Sequence, residues 1–173
     1  MRQSKGEELS YSIILVQEAS LSRVIKTESA GKDRTQLVRA IVLALRELMR
    51  QTETDLLTYD LAAFITLSLK EISNTIDLSV SAWEKRGYWV KADRFRMEWA
   101  WTDTMSRAIE QAMLSDDWAS VARAAAQVAE KLGDIKVPVR HKLGTPWIGA
   151  WDKLRSGDGK LKLKTRTTDT QYR

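Results

Sequence analysis

The chain has 173 residues, 43% of them hydrophobic, enough for one globular domain with a buried core. It has no cysteine, which excludes disulfides, thiolate metal sites and thiol nucleophiles, and one histidine, which excludes a helix-borne pair of metal-binding histidines. Lys and Arg number 28 against 23 Asp and Glu, a formal charge of +5 that favours polyanionic partners without naming one.

The apolar pattern is helical almost throughout. Leu9, Ile13, Val16, Leu21 and Val24 recur at helical steps and predict a first helix over about residues 7–27. The start of the chain has only four consecutive strongly apolar residues, too few for a signal-peptide core, and no stretch approaches the roughly 20 apolar residues of a membrane span. A soluble, cytoplasmic protein with no membrane partner is expected. ESAGKD then reads as a break, with Asp33 and Gln36 as a capping box for a second helix over about residues 34–51. Leu37, Ile41, Leu45 and Leu48 share one side of it. After the turn TETD, a long third helix is predicted over about residues 56–86 and stopped by Gly87. A fourth spans about residues 88–114, and Ser115 caps a fifth over about residues 116–132, closed by Gly133. Thr145 and Pro146 form an N-cap and first-turn pair for a short helix, PWIGAWDKLR. The last 18 residues carry five basic side chains against two acidic ones and have no helical face. The expected fold is therefore all-α: a compact bundle of five main helices plus a short C-terminal helix. It forms a single domain over residues 1–155, followed by a flexible basic tail over residues 156–173.

The stretch AWEKRGYWVKADRFRMEWAW, residues 82–101, holds four of the seven tryptophans and five basic side chains. On one continuous helix, Tyr88, Ala92, Phe95, Trp99 and Met113 share a face, while Val90, Met97, Trp101, Ala108 and Ala112 lie nearly opposite. Two apolar faces predict a helix inside the bundle, with Trp99 and Trp101 in the core and the tryptophans of the stretch mostly buried. The spacings Asp93–Arg96, Arg94–Glu98 and Asp103–Arg107 permit intrahelical pairs worth roughly 0.2–0.5 kcal/mol each. Lys85, Arg86 and Lys91 have only Glu84 close by and flank the Gly87 turn, where they can reach a partner.

Arg39, Arg46 and Arg50 fall on one line of the second helix, opposite its apolar side, and Glu47, its only acid, lies off that line. An arginine stripe of this kind suits a phosphate backbone, because guanidinium pairs with phosphate in bidentate fashion. The competing expectation is pairing with acids of another helix, or solvation. Arg140 and Lys142, beside Lys136 and His141, extend the set of candidate phosphate contacts, and the tail adds Lys160, Lys162, Lys164 and Arg166. In the fifth helix Val121, Ala122, Ala125, Val128 and Ala129 are expected to face inward. Trp147 and Trp151 are expected to dock the short helix on the core, with a partner-protein site as the alternative.

Catalytic chemistry is missing from the sequence. There is no Gly-x-Ser-x-Gly turn, Walker A loop or Gly-x-Gly-x-x-Gly run. The acidic pairs Glu7-Glu8 and Asp116-Asp117 sit at predicted helix starts, where they complement the helix dipole. No catalytic residue, metal ligand or cofactor is expected.

In a compact, basic, all-helical chain of this size, the blocks GYWVKADRFRMEW and LGTPWIGAW look most like the C-terminal helical region of the large subunit of type I-D CRISPR systems. Through that region the chain resembles the small subunit of Cascade-type RNA-guided interference complexes. The resemblance spans about residues 7–155 as helical character, without a short diagnostic motif. It implies a non-catalytic subunit present in several copies beside a guide RNA. Basic faces would hold the backbone of RNA or single-stranded DNA, sequence being read by guide pairing. Its partners would be nucleic acid, other subunits and copies of itself. The alternative is a helical protein–protein interaction module with no nucleic-acid role.

Overall fold

The computed structural model describes residues 27–138, 142–157 and 161. The predicted first helix, nearly all of the tail, and Arg140 lie outside the described residues. Within them the fold is all-α, with no strand: α1 Thr27–Leu48, α2 Leu56–Glu84, α3 Trp89–Trp99, α4 Trp101–Leu114, α5 Trp118–Lys131 and the seven-residue α6 Ala150–Ser156.

The core is organised around α2. Its segment LAAFITLSL, Leu61 to Leu69, has no charged residue and is buried at every position, as a helix apolar on all sides must be. Around it pack α1, α3, α4 and α6, while α5 packs chiefly on α4. Ile41, Leu61, Phe64, Ile65, Leu67, Leu69, Ile72, Ile109, Val121 and Val128 are all but inaccessible, and each large side chain buried this way contributes about 1.5–3 kcal/mol. Two of the hydroxyls that enter this core return to their own helix, Thr66 Oγ1 donating to the Ala62 carbonyl at 3.0 Å and Thr75 Oγ1 to that of Ile72 at 2.7 Å, while the buried Ser68 Oγ has no partner among the described residues. A threonine in the first turn of α2 and the Asp55 N-cap start the helix, the Asp55 carboxylate accepting from the Thr58 N–H at 3.0 Å.

Several boundaries differ from expectation. ESAGKD does not break the chain: it is the first part of α1, so Asp33 and Gln36 are interior positions and form no capping box. Ala30 is buried there, and tertiary packing outweighs the intrinsic cost of Gly31. The helix expected over residues 88–114 is interrupted at Ala100, whose backbone stays in the right-handed region. The apolar faces drawn on one continuous helix do not become buried faces: Tyr88, Val90 and Met97 are exposed. α3 is accordingly a surface helix in which Ala92 alone is buried; α2 holds the interior place expected of it. Trp99 and Trp101 are half-buried against the core, and Trp89 is exposed.

Asp117, rather than Ser115, caps α5, its carboxylate accepting from the Ser120 N–H at 3.0 Å. The buried positions of α5 include Ala124 where Ala122 was expected; Ala122 is exposed. The predicted helix from Pro146 is a turn followed by α6, separated by Gly149 at φ 75°. Trp147 is buried against Phe64 with ring centroids 6.4 Å apart, and Trp151 packs on Tyr59 at 5.0 Å, so both tryptophans dock the short helix as expected. Asp60, only 7% exposed, fixes the same segment by accepting from the Gly149 and Trp151 N–H groups, each at 2.9 Å.

Candidate functional site

The junction of α2 and α3 follows from Gly87. With φ 78° it takes the left-handed conformation that closes a helix. Its N–H donates to the Glu84 carbonyl at 2.9 Å and the Tyr88 N–H to that of Trp83 at 3.0 Å. α3 starts immediately afterwards, and Tyr88 caps it without a side-chain hydrogen bond. Tyr88, Trp89 and Val90 are consecutive, so on a helix they span about 200° and cannot all face one core. They emerge 57%, 61% and 74% exposed.

The junction is braced on its inner side. Arg96 pairs with Glu84 of α2 and with Asp93 of its own helix, the second contact at 2.7 Å. Trp83 meets Phe95 edge-on at 5.0 Å, and Lys91 places its ammonium 4.3 Å from the centre of the Trp83 ring. Arg34 of α1 covers Phe95 and Trp99 at 5.0 and 5.5 Å. Burial holds that guanidinium below the ordinary arginine range, with the charge of Glu98 acting the other way.

Between the two helices lies an open cleft of about 570 Å³, walled by Trp83, Tyr88, Trp89 and Phe95 and rimmed by Lys91, Arg94 and Glu98. The charge around it is unbalanced. Among the described residues Lys85, Arg86, Lys91 and Arg94 have no ion-pair partner, while Glu84 and Asp93 are already taken by Arg96. Glu98 is the one acid on the cleft. Of the three intrahelical pairs expected from spacing, Asp93–Arg96 and Asp103–Arg107 form, and Arg94–Glu98 does not come within ion-pair distance.

The arginine stripe is partly dismantled by the fold. Arg39 is exposed on α1. Arg46 is turned inward, its Nη1 donating at 2.9 Å to the carbonyl of Val137. Arg50 lies past the end of α1 at Leu48 and pairs with Glu47 at 3.2 Å. Lys142 is exposed, in the segment between Val137, held by Arg46, and Trp147, held by the N-terminal half of α2. Arg46 and Arg50 therefore belong to one end of α2, and Lys85, Arg86 and Lys91 to the other. Twenty-nine helical residues separate the ends by about 43 Å. The sequence-predicted contacts thus form two loci, with Arg39 between them.

Sequence reasoning missed the exposure of Tyr88 and Trp89, the release of Arg94 and the anchoring role of Asp60. The run of three apolar residues after Gly87 carries the first signal, because no single helical face accommodates it. An aspartate inside the apolar run TYDLAAFITL carries the last.

Among the described residues no three His, Asp or Glu side chains converge as a metal-binding group, and no helix is long and apolar enough to cross a membrane. No family model, curated protein or solved structure matches the chain.

Proposed function

We propose that this protein is a non-catalytic nucleic-acid-binding subunit of a ribonucleoprotein assembly, of the kind represented by the small subunit of RNA-guided CRISPR interference complexes. It contacts the phosphate backbone of RNA or single-stranded DNA through basic helix faces, independently of sequence, and assembles with other subunits and with copies of itself. The observation that supports this reading is the α2–α3 corner, where Lys91 and Arg94 rim a cleft bearing a single acid and Lys85 and Arg86 stand exposed at the adjoining turn, all four without an ion-pair partner among the described residues. Arg39, Arg50 and Lys142 add a second, more dispersed contact. Arg46 serves the fold instead, through Val137.

Binding of this type weakens steeply with salt, log K falling by about 0.7 per log unit of salt for each single-strand phosphate neutralised. Titrating a fluorescent single strand over a range of salt gives that slope. Replacing Lys85, Arg86 and Arg94 by Ala is expected to reduce it by about 2 and to weaken binding at low salt. An unchanged slope in the triple variant overturns the assignment. Arg46→Ala is a poor test, since it also frees the Val137 segment.

A second reading, a protein-interaction module, draws on α3, where Val90 and Met97 are 74% and 79% exposed. Purified protein with no nucleic-acid absorbance at low salt, together with capture of a protein partner that Met97→Glu abolishes, favours it.

A further inference from the structure

Among the described residues almost every aromatic ring is engaged by another ring or by a cation. Tyr59 contacts Trp118 and Trp151; Phe64 contacts Trp147; Trp83, Phe95, Trp99 and Trp101 form a continuous series. Lys91, Arg34 and Arg155 cover further faces of these rings. Tyr88 and Trp89 are the two described aromatics with neither kind of partner, and both are more than half exposed. They are adjacent in sequence and both line the cleft between α2 and α3. Exposing two large rings to water forgoes the burial energy that the rest of the molecule exploits.

Resting on the nucleic-acid reading above, we infer that this corner takes unpaired nucleotides: bases stack on Trp89 and Tyr88 while Lys85, Arg86 and Arg94 hold the flanking phosphates. Rings flanked on both sides by cations, Lys85 and Arg86 before them and Arg94 after, suit a single strand, whose every unit offers one π-face and one negative charge. A duplex offers the same charge with its base faces already stacked inside, so the rings gain nothing from it. The corner is also rigid enough to present them. The Gly87 turn fixes where α3 begins, and Arg96 ties α3 to α2. Because Lys91 already covers the Trp83 face, the incoming base is left Tyr88 and Trp89. A protein hot spot would use similar rings, but the corner carries five cations, Lys85, Arg86, Lys91, Arg94 and Arg96, against three acids, Glu84, Asp93 and Glu98, and that excess favours a polyanion.

The test uses the full chain and three labelled probes: oligothymidine of about 20 nucleotides, its duplex with oligoadenine, and an abasic strand with the same number of phosphates. Oligothymidine is expected to bind tightest. Tyr88→Ala and Trp89→Ala are each expected to weaken its binding by about 10- to 100-fold while leaving the abasic strand and the duplex within about twofold; Trp89→Phe keeps most of the affinity. Circular dichroism verifies that the variants remain folded. Equal affinity for oligothymidine and the abasic strand, or equal losses on all three probes, overturns base stacking while the phosphate reading stands. Binding to none of the probes at low salt overturns both. Variants that bind strand normally but lose self-association assign the rings to a protein interface, and so also overturn the inference.

Discussion

Asp116 is the described non-glycine residue with positive φ, at 55°. Its carboxylate accepts from Tyr59 Oη at 2.7 Å and from Trp118 Nε1 at 2.8 Å, joining the start of α2 to the turn between α4 and α5. These hydrogen bonds hold the Asp116 carboxyl below its ordinary range, the Tyr59 bond foremost, and the same bond holds the Tyr59 phenol above its own. A carboxyl lowered by folding contributes stability that is complete above its unfolded pKa of about 4 and is lost as pH falls through the lower folded value. The raised phenol contributes stability that is complete below about pH 10 and is lost as pH rises through the folded value. Asn tolerates the left-handed region and retains one acceptor oxygen, whereas Ala has neither advantage. Thermal melts at neutral pH should therefore rank wild type above Asp116→Asn, and Asp116→Asn above Asp116→Ala. The gap between wild type and Asp116→Asn should close below about pH 4. Asp117 is lowered too, by the Ser120 hydroxyl foremost, so a gap that persists in acid would mean that Asp116 is not the titrating group.

Elements in this protein are set as much by what they pack on as by their own residues. α1 runs through Gly31 although glycine costs a helix roughly 0.5–1 kcal/mol relative to alanine. A Cβ added there meets nothing within 4 Å, and Gly31 is not at positive φ. Gly31→Ala should therefore raise the unfolding free energy by about 0.5–1 kcal/mol in urea titrations; a loss would show that the site is crowded. α6 is the opposite case, too short to persist alone. It depends on Trp147 and on the buried Asp60 carboxylate, whose two bonds are of the charge-assisted kind worth about 1.5–3 kcal/mol. Asp60→Ala should cost about 3 kcal/mol and speed amide exchange at Gly149 and Trp151 before the rest of the fold. Unchanged protection at those amides would remove Asp60 from the docking of α6.

Across the whole molecule, the basic side chains that read as one set along the sequence divide between the two ends of a helix about 43 Å long. The division has a simple origin. α1 and α2 form a hairpin, so the end of α1 lies beside the start of α2, and residues after α2 emerge at the far end. Helical periodicity places side chains around one axis but does not say which other axis each one meets. Arg46 meets the carbonyl of Val137, 91 residues away, and Arg50, just past the end of α1, meets Glu47. The same limit explains α3. Its two apolar faces are present in the sequence, but in the assembled fold only Ala92 is buried.

Legible in the residues themselves were the helical class, a long helix over about residues 56–86, its stop at Gly87 and the docking of Trp147 and Trp151. Each rests on local stereochemistry or on a strong apolar period. Tertiary structure alone decided that α2 occupies the centre, that α3 lies on the surface, and that Tyr88 and Trp89 face solvent beside unpaired cations. Those outcomes depend on which faces are already covered by other elements, and burial is a property of the assembled helices rather than of any one of them.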